Sequence, residues 1–344
     1  MRVAVVCPYD LGRPGGVQDQ AIKLVAWLEE AGHHAWLVGP GVEGPNDARL
    51  VGRTLPVRAN GSIAPIAIDP RVVAAVREAV AGADVVHVHE PFMPVVGLAA
   101  VRASGRVVGT FHADPSRLVR RALRLSGRAL RATAGRIDVA TAVSDLAAEA
   151  VASLIAAEII PNAIDVAAYR SGRVERHAAR VVFLGRDEPR KGLGVLLEAW
   201  PIVRSTVPDA ELVVAGASGN DAEGVQFLGR IGEDEKREVL RSAAVMALPN
   251  LGGESFGITV AEGMAAGCAV VASGLRAFVA VARDGAQFVP PGDAGALGRA
   301  IARLLTDDAA AAALRARAAS TVAAYDRPVV LFRYLDAYQR ARSA

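Results

Sequence analysis

The sequence predicts an α/β chain of two doubly wound parallel sheets, each covered by helices, and three observations predict it. Short runs rich in β-branched residues recur along the whole chain. They are nearly continuously apolar rather than alternating, as expected of parallel strands buried on both faces. Ala-, Leu- and Arg-rich stretches separate them, so right-handed strand–helix–strand crossovers are the natural connection. The length of 344 residues exceeds one ordinary core and suits two, and a 52% apolar share can fill both.

In chain order, Val3 to Val6, Trp36 to Val38, Val85 to Val88, Val107 to Phe111 and Val139 to Val143 read as the strands of a first half. Val181 to Leu184, Leu212 to Val214, Gln226 to Leu228, Val245 to Leu248 and Ala269 to Ala272 read as those of a second. The charge-mixed segment Tyr169 to Arg180 interrupts the pattern. It places a first domain at 1–168, a linker at 169–180 and a second domain at 181–325. A last helix over 326–344 follows, with the first domain as one choice of packing partner. Two such halves leave a central cleft at the carboxyl ends of their strands, where doubly wound folds take ligands.

Lys and Arg exceed Asp and Glu by only three, 39 against 36, so the chain is no polycation and nucleic acid is not an expected partner. Cys7 and Cys268 sit far apart in apolar runs. They read as buried free thiols of a reducing cytoplasm rather than a disulfide or a metal pair. The opening run meets Pro8 too soon for a leader peptide, and none approaches the ~20 apolar residues that span a bilayer. A cytoplasmic protein is expected, dissolved or peripheral on the inner membrane face.

Three segments carry the chemistry. After the first strand, Gly15 and Gly16 precede a helix whose free N–H groups and dipole suit a phosphate, although a plain tight turn reads equally well. In the second half, Gly185-Arg186-Asp187-Glu188-Pro189-Arg190-Lys191-Gly192 puts three cations at a strand-to-helix junction. Arg186 and Lys191 suit a pyrophosphate leaving group; the alternative is a solvated loop of local ion pairs. The third runs from Gly252-Gly253-Glu254-Ser255-Phe256-Gly257 to Glu262. Glu254 on a loop and Glu262 on the following helix can face one elongated ligand, with the N–H groups of Phe256, Gly257 and Ile258 opening that helix toward phosphate. The plainer reading of Glu254 complements the helix dipole, and that of Glu262 pairs it with an arginine. His112 ends a strand and is a candidate contact to a transferred group. His87 and His89 share a strand face but lack a third ligand, so no metal site is expected.

Together Pro14-Gly15-Gly16-Val17-Gln18, Gly185-Arg186 with Pro189-Arg190-Lys191-Gly192, and Gly252 to Gly267 resemble the retaining glycosyltransferases of family 4. Within them the likeness is greatest to the actinobacterial phosphatidylinositol mannosyltransferases that add a first mannose. The resemblance implies a GT-B fold of two Rossmann-like domains and a metal-independent hexosyltransferase needing no cofactor. It implies a nucleotide-sugar donor, GDP-mannose favoured, and a lipid-linked acceptor in phosphatidylinositol mannoside biosynthesis, a branch of phospholipid metabolism. By that resemblance Gly16, Arg186 and Lys191 bind the diphosphate, His112 and Glu254 the transferred sugar, and Glu262 the ribose. Ile231, Glu233 and Lys236 fall at the guanine, Glu233 standing where the family has aspartate.

Acceptor residues match less well. Tyr9, Gln18, Asn60 and Ser62 agree with the family's pocket, but Ala59 replaces a tyrosine and Pro65 stands near an expected arginine. The lysine-rich helix the family uses at membranes has only Arg71 and Arg77 here. The Arg117–Arg136 segment offers a replacement, with arginines at helical spacing beside leucines; it suits either an anionic membrane surface or a solvated helix. Other readings stay open: a family-4 enzyme with a UDP-sugar donor or a diacylglycerol, polyol or glycan acceptor, a GT-B nucleotide-sugar epimerase, or a non-catalytic binding module.

Overall fold

A computed structural model describes residues 1–59, 62–112, 127–172 and 174–344. They form two compact units, Met1–Ala163 with Pro328–Ala344, and Ile164–Arg327. The chain divides at Ala163, not at the polar segment 169–180. That segment lies inside the second unit, where Val166–Arg170 is a short helix and His177 already begins a strand. Polarity misled here because most of the segment's described residues are exposed on the unit, while Tyr169 is buried in it.

The first unit holds β1 (Arg2–Val6), β2 (His34–Gly39), β3 (Arg49–Leu50), β4 (Leu55–Ala59), β5 (Ser62–Ile66), β6 (Val85–His89), β7 (Val107–Phe111), β8 (Val139–Ala142) and β9 (Glu158–Ile159). Seven of them make a sheet in the order β3-β2-β1-β6-β7-β8-β9 with parallel pairing throughout. Leu24, Trp27 and Leu28 of the helix Gly16–Glu30 pack on it. From the C-terminal helix Arg327–Ser343, Val330, Tyr334, Ala337, Tyr338 and Ala341 enter the same core, a stripe at helical spacing. The β4–β5 hairpin pairs Pro56 with Pro65; two prolines in facing strands hid it from a reading based on apolar runs.

The second unit holds β10 (His177–Leu184), β11 (Glu211–Ala215), β12 (Val225–Gly229), β13 (Ala243–Leu248), β14 (Ala269–Ser273) and β15 (Ala286–Val289). They form a parallel sheet in the order β12-β11-β10-β13-β14-β15. Strand order reverses between β1 and β6 in the first unit and between β10 and β13 in the second. Neighbouring loops diverge at such a point and leave a crevice beyond the strands' carboxyl ends. Tyr9 and Glu90 follow the first pair; Arg186 and Asn250 follow the second.

Candidate functional site

In the second unit, β10 runs out into Arg186, and Pro189–Lys191 form one 3-10 turn before the helix Leu193–Thr206. Gly192 joins them at φ +74°, and a Cβ there would lie 1.9 Å from the Pro249 carbonyl oxygen. Only glycine lets this junction lie against the end of β13. The apposition delivers Lys191 to Glu254: Nζ donates to Oε1 at 2.7 Å, with both side chains largely buried. Arg190 donates to the same oxygen at 3.0 Å and Asn250 at 2.8 Å. Arg190 also holds the Gly253 carbonyl at 3.0 Å. Arg186 sits at the rim and pairs with Glu188 at 2.9 Å, while Arg190 Nε stands 2.7 Å from Glu188 as an ion contact without hydrogen-bond geometry. Glu254 is thus a fixed carboxylate whose Oε1 takes three donors, two of them cationic.

Past Glu254 the chain turns at Gly257 (φ +100°) into the helix Ile258–Ala265. A Cβ on Gly257 would meet the Phe278 ring at 2.8 Å. Phe256 is buried edge-on against Tyr325, so its side chain anchors the turn. Val260 N–H donates to the Gly257 carbonyl at 3.0 Å, and the N–H groups of Ile258 and Thr259 before it have no partner within the helix.

Glu262 lies just over one turn into that helix and is buried. Its partner is not an arginine: Lys236 Nζ and Tyr169 Oη each donate to Oε1 at 2.7 Å. Lys236 also donates to Glu233 Oε1 at 2.7 Å, so Glu233, Lys236 and Glu262 form one chain beside Ile231. Burial alone would lower the pKa of Lys236; the two carboxylates outweigh it and hold the ammonium above its ordinary value.

In the first unit, Gly15 caps the helix Gly16–Glu30. A Cβ on Gly15 would overlap Gln18 Oε1 at 2.3 Å, since the Gln18 side chain folds back to donate to the Asp10 carbonyl. Tyr9 bridges Ile66 of the hairpin. Burial, then the charge of Glu90, raises the Tyr9 phenol well above its usual pKa, so it is a hydroxyl donor at neutral pH. Ser62 pairs with Ala59 across the hairpin. Asn60, Gly61 and Arg117 to Arg124 lie outside the described residues. Arg128, Arg131 and Arg136 are exposed, the first two on the helix Gly127–Ala134.

His112 directly follows β7, its N–H donating to Glu90 Oε1 at 2.8 Å. Its Nε2 lies 2.7 Å from His89 Nδ1, and His89 Nε2 is buried without a hydrogen-bond partner beside a water-sized cavity that Asn162 and Tyr334 also line. Burial lowers His112 to about 3 and His89 well below its usual value, so neither carries charge at neutral pH. His87 bonds Tyr338 at 2.8 Å and Thr110 at 2.7 Å. Among the described residues no group of three or more His, Cys, Asp and Glu could hold a metal, and no helix is long and apolar enough to cross a membrane. Cys7 and Cys268 are buried free thiols, each pushed up to about 12 by burial.

Sequence reasoning passed over Tyr169, His89, Glu90, Arg190 and Asn250 as site residues. Only β6–β7 register brings His89 beside His112, and the loop after β13 folds Asn250 onto Glu254 four residues on. Glu90 did leave a structural mark: a non-glycine φ of +50° where β6 ends.

Two family models match the chain, one described as Glycosyltransferase Family 4 over residues 14–168 and one as Glycosyl transferases group 1 over residues 178–307. The phosphatidyl-myo-inositol mannosyltransferase of Mycolicibacterium smegmatis is 36% identical, covering 100% of this chain and 95% of its own. That of Propionibacterium freudenreichii is 38% identical, covering 89% and 87%. Among solved structures, Anabaena HepE in complex with UDP and glucose superposes with a TM-score of 0.76 at 17% identity, over 98% of this chain and 99% of that one. Sucrose-phosphate synthase from Thermosynechococcus elongatus gives 0.69 at 20% identity over 99% of each. At such identities the structural likeness speaks for the fold.

Proposed function

This chain belongs to the family-4 glycosyltransferases of GT-B fold and is a hexosyltransferase; from that premise we propose that it moves mannose from GDP-mannose to phosphatidylinositol, with retention at the sugar. The observation that carries the reaction is the Lys191–Glu254 pair beside the start of the helix Ile258–Ala265. A diphosphate seated there meets fixed positive charge as it leaves, so the anion is stabilised without reorganisation. The near-full-length likeness to named mannosyltransferases supports the choice of donor and acceptor.

The bond from the sugar's anomeric carbon to the diphosphate oxygen breaks while the acceptor oxygen bonds that carbon from the same face. The acceptor's proton passes to the departing phosphate. Glu254 holds sugar hydroxyls, Lys191 and Arg186 the diphosphate, and His112 contacts the transferred sugar as a neutral imidazole. Glu262 takes the ribose diol, with Ile231, Glu233 and Lys236 at the guanine. Gly15 and Gly16 open a second helix start toward phosphate. Tyr9, Gln18, Asn60 and Ser62 serve the acceptor. The protein works at the cytoplasmic membrane surface, touching anionic lipid through the arginines between Arg117 and Arg136. No metal or cofactor takes part.

The test is transfer from GDP-mannose to phosphatidylinositol in EDTA, with the product identified and its anomeric configuration assigned. Turnover should persist in the chelator and fall about 100- to 1,000-fold in Glu254→Ala, as for removal of a fixed transition-state contact. Strict metal dependence, or activity retained without Glu254, contradicts the reading. Pro65 in the hairpin favours one second reading, a different acceptor such as a diacylglycerol, polyol or glycan. Transfer to one of these, with phosphatidylinositol inert, would establish it.

A further inference from the structure

Glu262 is reached from two sides, and one of them belongs to no assigned role. The short helix Val166–Arg170 is capped by Asp165, whose Oδ1 accepts from the Ala168 N–H at 3.0 Å. It presents Tyr169, buried, with Oη 2.7 Å from Glu262 Oε1. The ring lies under two cations, Lys236 Nζ at 6.0 Å and Arg237 Cζ at 5.9 Å from its centre. Lys236 reaches the same carboxylate oxygen from the other side. Two donors on one oxygen fix the plane of the carboxylate and direct Oε2 away from both.

We propose that Tyr169 is a positioning residue for donor recognition: its hydroxyl locks Glu262 so that Oε2 accepts both hydroxyls of the ribose. The inference rests on the reading of Glu262 as the ribose ligand and goes beyond it. A lysine alone, a point charge on a flexible stem, attracts the carboxylate without setting its angle; a phenol on a packed ring does both. Burial and the negative charge of Glu262 raise the pKa of the Tyr169 phenol, which keeps it protonated and therefore a donor at every working pH. The Lys236 bridge to Glu233 joins this lock to the guanine end, so base and ribose are read by one connected set of side chains.

The experiment compares GDP with 2′,3′-dideoxy-GDP by calorimetry on the full chain. The wild type should prefer GDP. Tyr169→Phe, which keeps the ring, should lose about 10-fold in GDP affinity, the worth of one charge-assisted hydrogen bond, and nothing for the dideoxy nucleotide. Equal loss for both nucleotides means a packing role, and no loss means no role; either overturns the proposal alone. A wild type that binds both alike overturns the ribose reading of Glu262 and the proposal with it. Glu262→Gln supplies a second arm, a double-mutant cycle that separates the lock from a general packing loss. In that background the added Tyr169→Phe change should cost no further GDP affinity, and an additive loss overturns the lock.

Discussion

His87 and His89 stand one above the other on β6, rings stacked at 4.6 Å, and the protein must keep both neutral to keep them buried. Burial lowers His87 to about 3 from an ordinary value near 6.5. The folded-state pKa lies below the unfolded one, so between those values the unfolded chain binds a proton that the folded chain refuses. Stability from this group is complete above about pH 6.5 and is lost as pH falls toward 3, at about 1.4 kcal/mol per pH unit for each such histidine. His87→Gln should therefore be less stable than wild type at about pH 7.5 yet lose about 2 kcal/mol less on going to about pH 5. Urea midpoints at the two pH values measure it, and an equal acid loss in both proteins would refute it. The same neutrality matters at His112. The uncharged imidazole there shares one hydrogen bond with His89 and another with the Asn162 side chain.

At the scale of elements, two glycines of one helix start make opposite predictions. Gly192 has φ +74° and no room for a Cβ, whereas Gly194, two residues on in the helix Leu193–Thr206, has open space around its Cβ position. Gly192→Ala should lower stability by at least about 2 kcal/mol, from left-handed strain plus a backbone clash, and Gly194→Ala should raise it by about 0.5 kcal/mol through helix propensity. Thermal melts of both variants decide it; equal shifts would mean that the turn is not under the constraint described. This junction also shows what could be read beforehand. Arg186, Lys191, Gly192 and Glu254 stood out because cations, glycine and a carboxylate cluster after apolar strands, and such clusters sit at strand ends in doubly wound folds. Their pairing could not be read, because 63 positions separate Lys191 from Glu254 and sheet order alone brings them together. Tyr169 was hidden differently. It lies in a polar stretch that looked like a linker, and one buried phenol does not change the composition of its neighbourhood. The β4–β5 hairpin was missed because Pro56 and Pro65 lack the signature of a strand.

At the scale of the molecule, the last helix begins in one unit and spends its apolar face on the other. Arg327 belongs to the second unit, where its N–H donates to the Ile164 carbonyl at 2.9 Å; Pro328 onward belongs to the first. Val330, Tyr334 and Tyr338 each carry side chains worth about 2 kcal/mol when buried, and Ala337 and Ala341 add less. Their sum approaches the whole net stability of a typical domain, about 5–15 kcal/mol. Tyr338 is in addition the partner of His87, so its loss leaves a buried imidazole nitrogen unbonded. Ending the chain after Arg327 should therefore unfold the first unit and leave the second folded. Limited proteolysis of the truncated chain should then yield a resistant fragment near 164–327, while the full chain resists throughout both units. That fragment should still bind GDP, because Glu262, Lys236, Glu254 and Lys191 all lie within it, and should transfer no sugar. A truncated chain in which the first unit stays resistant would show that its core closes without the stripe from Val330 to Ala341. The two units would then fold as independent segments of sequence, not as one chain that must return to its beginning.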